Sequence, residues 1–278
     1  NLPGNTGLPN DQGFDEFFGY LNQVHAHNYY PEFLWKNKEK VRLRNQVVPA
    51  DRGYAGFVGG HATVRVDYSH DLVTAEALAF IERAAADPDR PFFLFLSLTI
   101  PHANNEGGGV TGNGMEVPDY GIYADEDWPE TEKGQAAMIT RMDSDVGRLI
   151  ALLRELKIDD NTLVIFTSDN GGFVNNYKNQ QVTRNTPLRS GKGSLYEGGV
   201  RVPFIARWPG RITPGSVSDH VSAFWDMMPT FAEMATELSR IATSEPETSM
   251  PSPPMRAQCP PRTSPSEKSA SNASEWAS

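Results

Sequence analysis

Thr162-Leu163-Val164-Ile165-Phe166-Thr167-Ser168-Asp169-Asn170-Gly171-Gly172 is the stretch on which the reading of this chain turns. Its first part is a continuous run of β-branched and aromatic residues, the pattern of a strand covered on both faces. Its second part is polar and closes on paired glycines, which let the backbone turn sharply away. A buried strand thus empties directly into a carboxylate and an amide. In open parallel α/β sheets, ligands bind just outside such strand ends.

The flanks repeat the theme. Upstream, residues 134–157 read as a long helix with Val146, Leu149, Leu153 and Leu156 on one face. Residues 103–130, rich in Gly, Asn and acids, read as a loop. Before them, Pro91–Ile100 is aromatic and aliphatic and bounded by prolines, which predicts another buried strand, with His102 at its end. A helix from Asp71 to Asp87 carries a stripe of Val73, Ala77, Phe80 and Ala84, with Leu78, Ile81 and Ala85 beside it. Downstream, Val202–Trp208 reads as a short strand and Phe224–Met234 as a helix. Helices alternating with strands predict an α/β domain with a mostly parallel sheet. Residues 1–70 carry few periodic runs; Gly13, Phe14, Phe17, Phe18 and Gly19 suggest a turn with aromatic anchors.

The chain has 278 residues, is 38% hydrophobic and carries a formal charge of −10. That composition suits a globular chain, and the acidic balance argues against nucleic acid as the main partner. No apolar run approaches the roughly 18 residues of a membrane span. A single cysteine, Cys259, excludes an internal disulfide framework and a Cys-clustered zinc site. Residues 244–278 are dominated by Ser, Pro, Glu and Ala, the composition of a disordered tail. Its abrupt onset would also follow from a reading-frame shift.

Local chemistry leaves two readings at each strand end. Asp169 and Asn170 are hard oxygen ligands suited to Ca²⁺ or Mg²⁺, but Asp-Asn-Gly-Gly is also an ordinary Asx-turn. His102 can donate a proton or bind an anion, or simply cap a turn. Lys192, between Gly191 and Gly193, offers an ammonium to an oxyanion, or belongs to a solvated basic loop. It is not in a P-loop, because Thr186 and Gly193 stand where that motif needs Gly and Ser or Thr. Glu197 and Arg201 are spaced for a helical pair, but the glycines between them argue against a helix. His25, His27, His61, His70 and His220 read as surface or turn residues, though His25 and His27 could line a pocket. Asp143 and Asp145 read as a solvated helix edge or as contacts to a neighbouring loop, and Asp125-Glu126-Asp127 as a solvated loop.

Together, several segments resemble the formylglycine-dependent arylsulfatases of the alkaline phosphatase-like superfamily. They are Gly13-Phe14-Asp15-Glu16-Phe17-Phe18-Gly19, Pro91–Phe95 leading to Pro101-His102, Thr167–Gly172, Leu188–Gly193, Glu197–Pro203 and Asp226–Thr230. The resemblance runs over residues 10–235 in family order. It implies an α/β, alkaline phosphatase-like fold and the hydrolysis of sulfate esters of small molecules or glycans with a divalent metal, Ca²⁺ before Mg²⁺. By matching motif, Asp169 and Asn170 would be metal ligands. His102 and Lys192 would bind the sulfate and act on the leaving group. An exported protein is expected; the oligomeric state is not legible.

The family's nucleophile, a hydrated formylglycine, arises from a Cys/Ser-x-Pro-x-Arg motif near the N-terminus. No such segment precedes Asp169, nor do the first acidic pair and a Lys–His pair. The expectation is a catalytic domain truncated at its N-terminus (residues 1–235) with a Ser/Pro-rich tail (236–278), inactive alone. Ser252-Pro253-Pro254-Met255-Arg256 fits the motif literally and Cys259-Pro260-Pro261-Arg262 nearly does. Both lie in the proline-rich tail, where such matches arise by composition. The rival readings are a phosphatase or phosphodiesterase of the same superfamily and a non-catalytic sulfated-glycan-binding remnant.

Overall fold

The computed structural model describes residues 6–50, 59–173, 175–177, 180–182 and 185–243, with side chains for 6–50, 59–173 and 185–236. Residues 244–278, and with them Ser252 and Cys259, lie outside the described residues. The chain divides into two compact units, Asn1–Ser216 and Val217–Ser278.

In the first unit the order is β1 (Phe18–Gly19), α1 (Gln23–Ala26), β2 (Phe33–Lys36), β3 (Glu39–Arg42), β4 (Gln46–Pro49), β5 (Gly60–Val64), α2 (Ser69–Ala85), α3 (Asn105–Thr111) and α4 (Glu130–Glu155). Then come β6 (Val164–Thr167), β7 (Asn175–Tyr177), β8 (Gln180–Val182), α5 (Glu197–Val200) and β9 (Phe204–Arg207). In the second unit a 3₁₀ turn, Phe224–Asp226, leads into α6 (Met227–Thr243), where the sequence predicts a helix. β1, β2 and β3 form one small sheet; β4 pairs with β5, β6 with β9 and β7 with β8.

The ladders among the described residues are all antiparallel, whereas the alternation of elements predicts parallel neighbours. An apolar run does not encode strand direction. The connection from β6 to β9 is long enough for a parallel crossover. It holds the β7–β8 pair and the short helix α5, and β9 runs back along β6. The residues of β6 are half-buried rather than covered on both faces.

Pro91–Ile100 is a second correction. The segment carries no ladder among the described residues. Its burial nonetheless alternates with period two: Phe92, Leu94, Leu96 and Leu98 are half-buried while Phe93, Phe95 and Ser97 face out. The alternation is that of a strand with one face packed. The stretch 103–130, read as a loop, contains α3 and a 3₁₀ turn at Gly121–Tyr123. Asn104 caps α3, its Oδ1 accepting from the Gly107 amide at 2.9 Å.

The core lies where periodicity says least. Tyr29, Tyr30, Ala62, Tyr68, Ile100 and Met138 pack together, with Val47, Met115, Val117 and Met142 against them. The inward stripe of α2 is His70, Thr74, Ala77 and Ile81, rotated from the apolar stripe of the sequence. The cause is polar: Asp145 of α4 points inward and binds both His70 and Thr74. Asp145 therefore meets a helix, neither solvent nor a neighbouring loop as expected, and His70 is not a surface histidine. Asp143 is exposed, as expected.

Candidate active site

Three loops build the site, and backbone proximity locks them together. The Gly171 amide donates to Gly199 O at 3.0 Å, the Lys192 amide to Gly172 O at 3.1 Å, and the Gly198 amide to Arg189 O at 2.9 Å. Asn185 is the rivet. Its Oδ1 accepts from the Gly172 amide at 2.9 Å, while its Nδ2 donates to Gly172 O at 2.9 Å and to Ser190 O at 3.1 Å. The approach is too close for any side chain: a Cβ on Gly171 would lie 1.7 Å from Gly198 O, and one on Gly198 would lie 2.1 Å from Ser190 O. These glycines, which argued against a helix at Glu197–Arg201, serve contact instead. α5 does form there, and Arg201 Nη1 reaches Glu197 Oε2 at 3.4 Å, which corrects the sequence reading.

This framework brings Lys192 to His102. Lys192 Nζ lies 3.3 Å from His102 Nε2. The other nitrogen, Nδ1, is 2.8 Å from Ala103 O, a carbonyl that can only accept. Nδ1 therefore carries the proton and Nε2 presents a lone pair to the ammonium. Burial holds the His102 pKa below the ordinary histidine value; the bond to Ala103 opposes this, the charges of Lys192 and His27 add to it, and Asp169 opposes it. The imidazole is neutral near pH 7. Tyr29 OH anchors the segment from beneath, donating to the His102 carbonyl at 2.5 Å.

Asp169 and Asn170 sit at the end of β6, as the sequence predicts, with Asp169 exposed and close enough for its charge to act on His102. Asn170 Nδ2 donates to Gly171 O at 2.9 Å, and the Ser168 hydroxyl donates to Asn170 O at 3.1 Å. The amide NH₂ is thereby engaged, which orients the amide. A carboxylate and an amide oxygen are the right donor type for Ca²⁺ but not the full number, since that ion takes about six to eight oxygens. Among the described residues no group of three or more His, Cys, Asp or Glu could hold a metal ion.

Two residues at the site escape a sequence reading of catalytic groups. His27 stacks face to face on His102, ring centroids 5.0 Å apart and planes at 8°. Its Nδ1 pairs with Glu106 Oε2 at 2.9 Å. The His-Ala-His spacing hints at His27; Glu106 sits in a Gly/Asn-rich stretch that signals only a turn.

The Sulfatase family model matches residues 3–237. The chain belongs to the sulfatase family. It is 31% identical over 229 residues to an N-acetylgalactosamine-6-sulfatase of Canis lupus familiaris, covering 82% of this chain and 39% of that protein. A sulfatase of Formosa agariphila is 43% identical over 156 residues, covering 53% of this chain and 26% of that protein. Among solved structures, Ps i-CgsB in complex with k-i-k-neocarrahexaose superposes with a TM-score of 0.63 at 27% identity, over 85% of this chain and 48% of that one. This sulfatase chain thus spans about two fifths of the length of the first curated relatives it matches, 39% for the canine enzyme. Its α/β architecture is that of the alkaline phosphatase-like sulfatases. No described helix is long and apolar enough to cross a membrane.

Proposed function

We propose that this chain supplies part of the active site of a sulfuric ester hydrolase, with residues 1–235 belonging to the catalytic domain and 236–278 forming a tail. The observation that carries the reading is the pairing of Lys192 with a neutral His102, 3.3 Å apart, beside the strand end that bears Asp169 and Asn170. Cleaving a sulfate ester builds negative charge on the departing oxygen, and preorganised donors aimed there lower the barrier. Lys192 directs one N–H toward His102 and keeps the rest of its ammonium for sulfate oxygens. The Lys192–His102 pair shares a proton that can pass to the leaving oxygen. Asp169 and Asn170 would hold a divalent cation, Ca²⁺ in preference to Mg²⁺. That ion, when bound, would neutralise sulfate charge.

A sulfated sugar is the favoured substrate. The relative named for a sugar sulfate and the neighbour solved with an oligosaccharide each cover more than four fifths of this chain, whereas mouse steryl-sulfatase covers 58% of it.

Competition between an aryl sulfate and the matching aryl phosphate tests the reading. Saturable binding of the sulfate ester, weakened at least about tenfold by Lys192→Ala, is expected. Preference for the phosphate ester would move the chain to the phosphatase reading, and indifference to Lys192→Ala would end both. The 278-residue chain alone is expected to bind without cleaving. Aryl sulfate turnover by that chain, lost in Lys192→Ala, would overturn this part.

A further inference from the structure

His102 is held along its edges by partners that fix its position better than its plane. Nδ1 is tied to the neighbouring carbonyl of Ala103, a bond that weakens as the ring tilts out of line. Nε2 meets Lys192, an exposed residue on a flexible stem with a rotating donor head. A ring plane is fixed by contact with its face, and one face of His102 is covered by His27.

His27 is itself braced. It follows α1, whose cap Asn22 accepts from the amides of Val24 and His25 at 2.9 Å and 3.1 Å. Its Nδ1 is pinned by Glu106, in the first turn of α3. The Glu106 side chain lies close over Gly59, where an added Cβ would stand 2.7 Å from its Cγ. α3 is anchored by the fully buried Asn104, whose Nδ2 donates to Gly60 O and to Glu116 Oε2, both at 2.9 Å. A continuous set of contacts therefore runs from β5 through Asn104, Glu106 and His27 to the face of His102.

We propose that His27, braced by Glu106, is a positioning residue for His102, the plate that fixes the plane in which His102 presents Nε2 to Lys192 and to a bound sulfate ester. This deepens the proposed function and rests on it. Parallel rings with this centroid spacing attract modestly, and they exclude water from the covered face. The charge of His27 also opposes a proton on His102, in keeping with the neutral form the site uses.

The test uses the 278-residue chain with ¹⁵N-labelled histidine, and phenyl sulfate as the probe. In the unsubstituted chain His102 is expected in one tautomer, protonated at Nδ1. His27→Phe keeps a flat face and is expected to keep that tautomer, with phenyl sulfate affinity within about twofold. His27→Ala removes the face and is expected to mix the tautomers and weaken binding about tenfold. His27→Leu, which keeps bulk without a flat face, is expected to behave as His27→Ala and serves if that variant fails to fold. A mere tie between α1 and α3 would lower the melting temperature while leaving the His102 tautomer and the affinity unchanged, and that result overturns the proposal. Failure of the unsubstituted chain to bind phenyl sulfate, or indifference of binding to Lys192→Ala, defeats the site reading instead. The tautomer comparison still decides the role of His27 in that case.

Discussion

His70 Nε2 lies 2.8 Å from Asp145 Oδ2, and this contact joins α2 to α4 inside the protein. Thr74 Oγ1 donates to the same oxygen at 3.2 Å, and Arg148 Nη1 donates to the other at 2.8 Å. The His70 side chain is 0% exposed, and its Nδ1 has no hydrogen-bond partner. Burial lowers its pKa, with the bond to Asp145 opposing, so a neutral ring donates Nε2–H to the carboxylate. Removing Asp145 would strand that donor in the interior. Asp145→Ala is expected to cost about 3 kcal/mol in urea unfolding, and Asp145→Asn, which keeps an acceptor, less than half of that. A loss for Asp145→Ala within about 0.5 kcal/mol would show that the contact holds nothing together.

Acid should destabilise the protein before carboxylates begin to titrate. Burial, with a smaller contribution from the Lys40 charge, pushes His25 down from 6.5 to about 4, and burial lowers His70 and His102 as well. For a histidine with a depressed folded pKa, the unfolded chain binds the proton first. Stability is then unaffected above the unfolded value of 6.5 and falls as pH drops below it; for His25 the fall continues to about 4. That residue alone accounts for about 3 kcal/mol across the window. At lower pH Asp67 and Asp159 follow. Their pKa values are depressed by hydrogen bonds from Arg44 and Arg207, so they stabilise above the unfolded carboxylate value and lose this as pH falls through the folded one. Urea midpoints between pH 8 and pH 4 check the sign. His25→Phe, which can pack between Tyr20 and Phe33 as the imidazole does, is expected to flatten the slope by about one proton. A midpoint constant down to pH 5 would contradict the assignment.

The legible parts of this fold are those whose apolar residues recur at a helical spacing or in a strand-length run. α4, β6, β9 and α6 form where such patterns stand in the sequence, although the pattern does not say which residues end up buried: α4 turns Asp145 inward and β9 leaves Phe204 and Ile205 exposed. The stripe of α2 defeats the same rule because its inward face includes His70 and Thr74, whose burial depends on Asp145 some 70 positions away. A local window cannot register such a partner. Pro91–Ile100 keeps strand-like alternation without a ladder, since pairing depends on a neighbour that no local pattern supplies. At the site, Asp169, Asn170, His102 and Lys192 stand out in the sequence because each lies within two residues of a Gly or Pro. Glu106 is not, because its importance comes wholly from His27, which it meets across 79 positions of chain.

The glycines at the site and those on helix surfaces should respond oppositely to substitution. A Cβ on Gly171 would strike Gly198 O at 1.7 Å, and neither atom belongs to a movable side chain. Gly171→Ala is expected to force the loops carrying Asp169 and Lys192 apart and to abolish phenyl sulfate binding, even where the rest of the chain still folds. A Cβ on Gly147, within α4, would meet nothing within 4 Å. Gly147→Ala is expected to stabilise by about 0.5–1 kcal/mol by improving helix propensity, with binding unchanged. Equal binding by Gly171→Ala and the unsubstituted chain would show that the interlocked backbone does not set the site.

Asp169 and Asn170 make a further prediction about metal ions. Two neighbouring oxygens favour a hard cation, and few protein donors imply weak affinity, in the range of about 10⁻⁴–10⁻³ M seen for the weakest calcium modules. Ca²⁺ at about ten times its Kd is expected to stabilise the chain by about 1.4 kcal/mol, raising its melting temperature, and chelation should reverse the shift. Mg²⁺ should do less, because it demands near-octahedral geometry and sheds its waters reluctantly. Asp169→Ala removes the only full charge of the pair and is expected to eliminate the Ca²⁺ shift, while Asn170→Ala, losing a neutral donor, should reduce it. The stabilisation should also saturate with Ca²⁺, since nonspecific screening by salt would instead act gradually and would be matched by Mg²⁺ at equal ionic strength. A calcium shift that survives Asp169→Ala would place the ion elsewhere and remove the end of β6 from the metal centre.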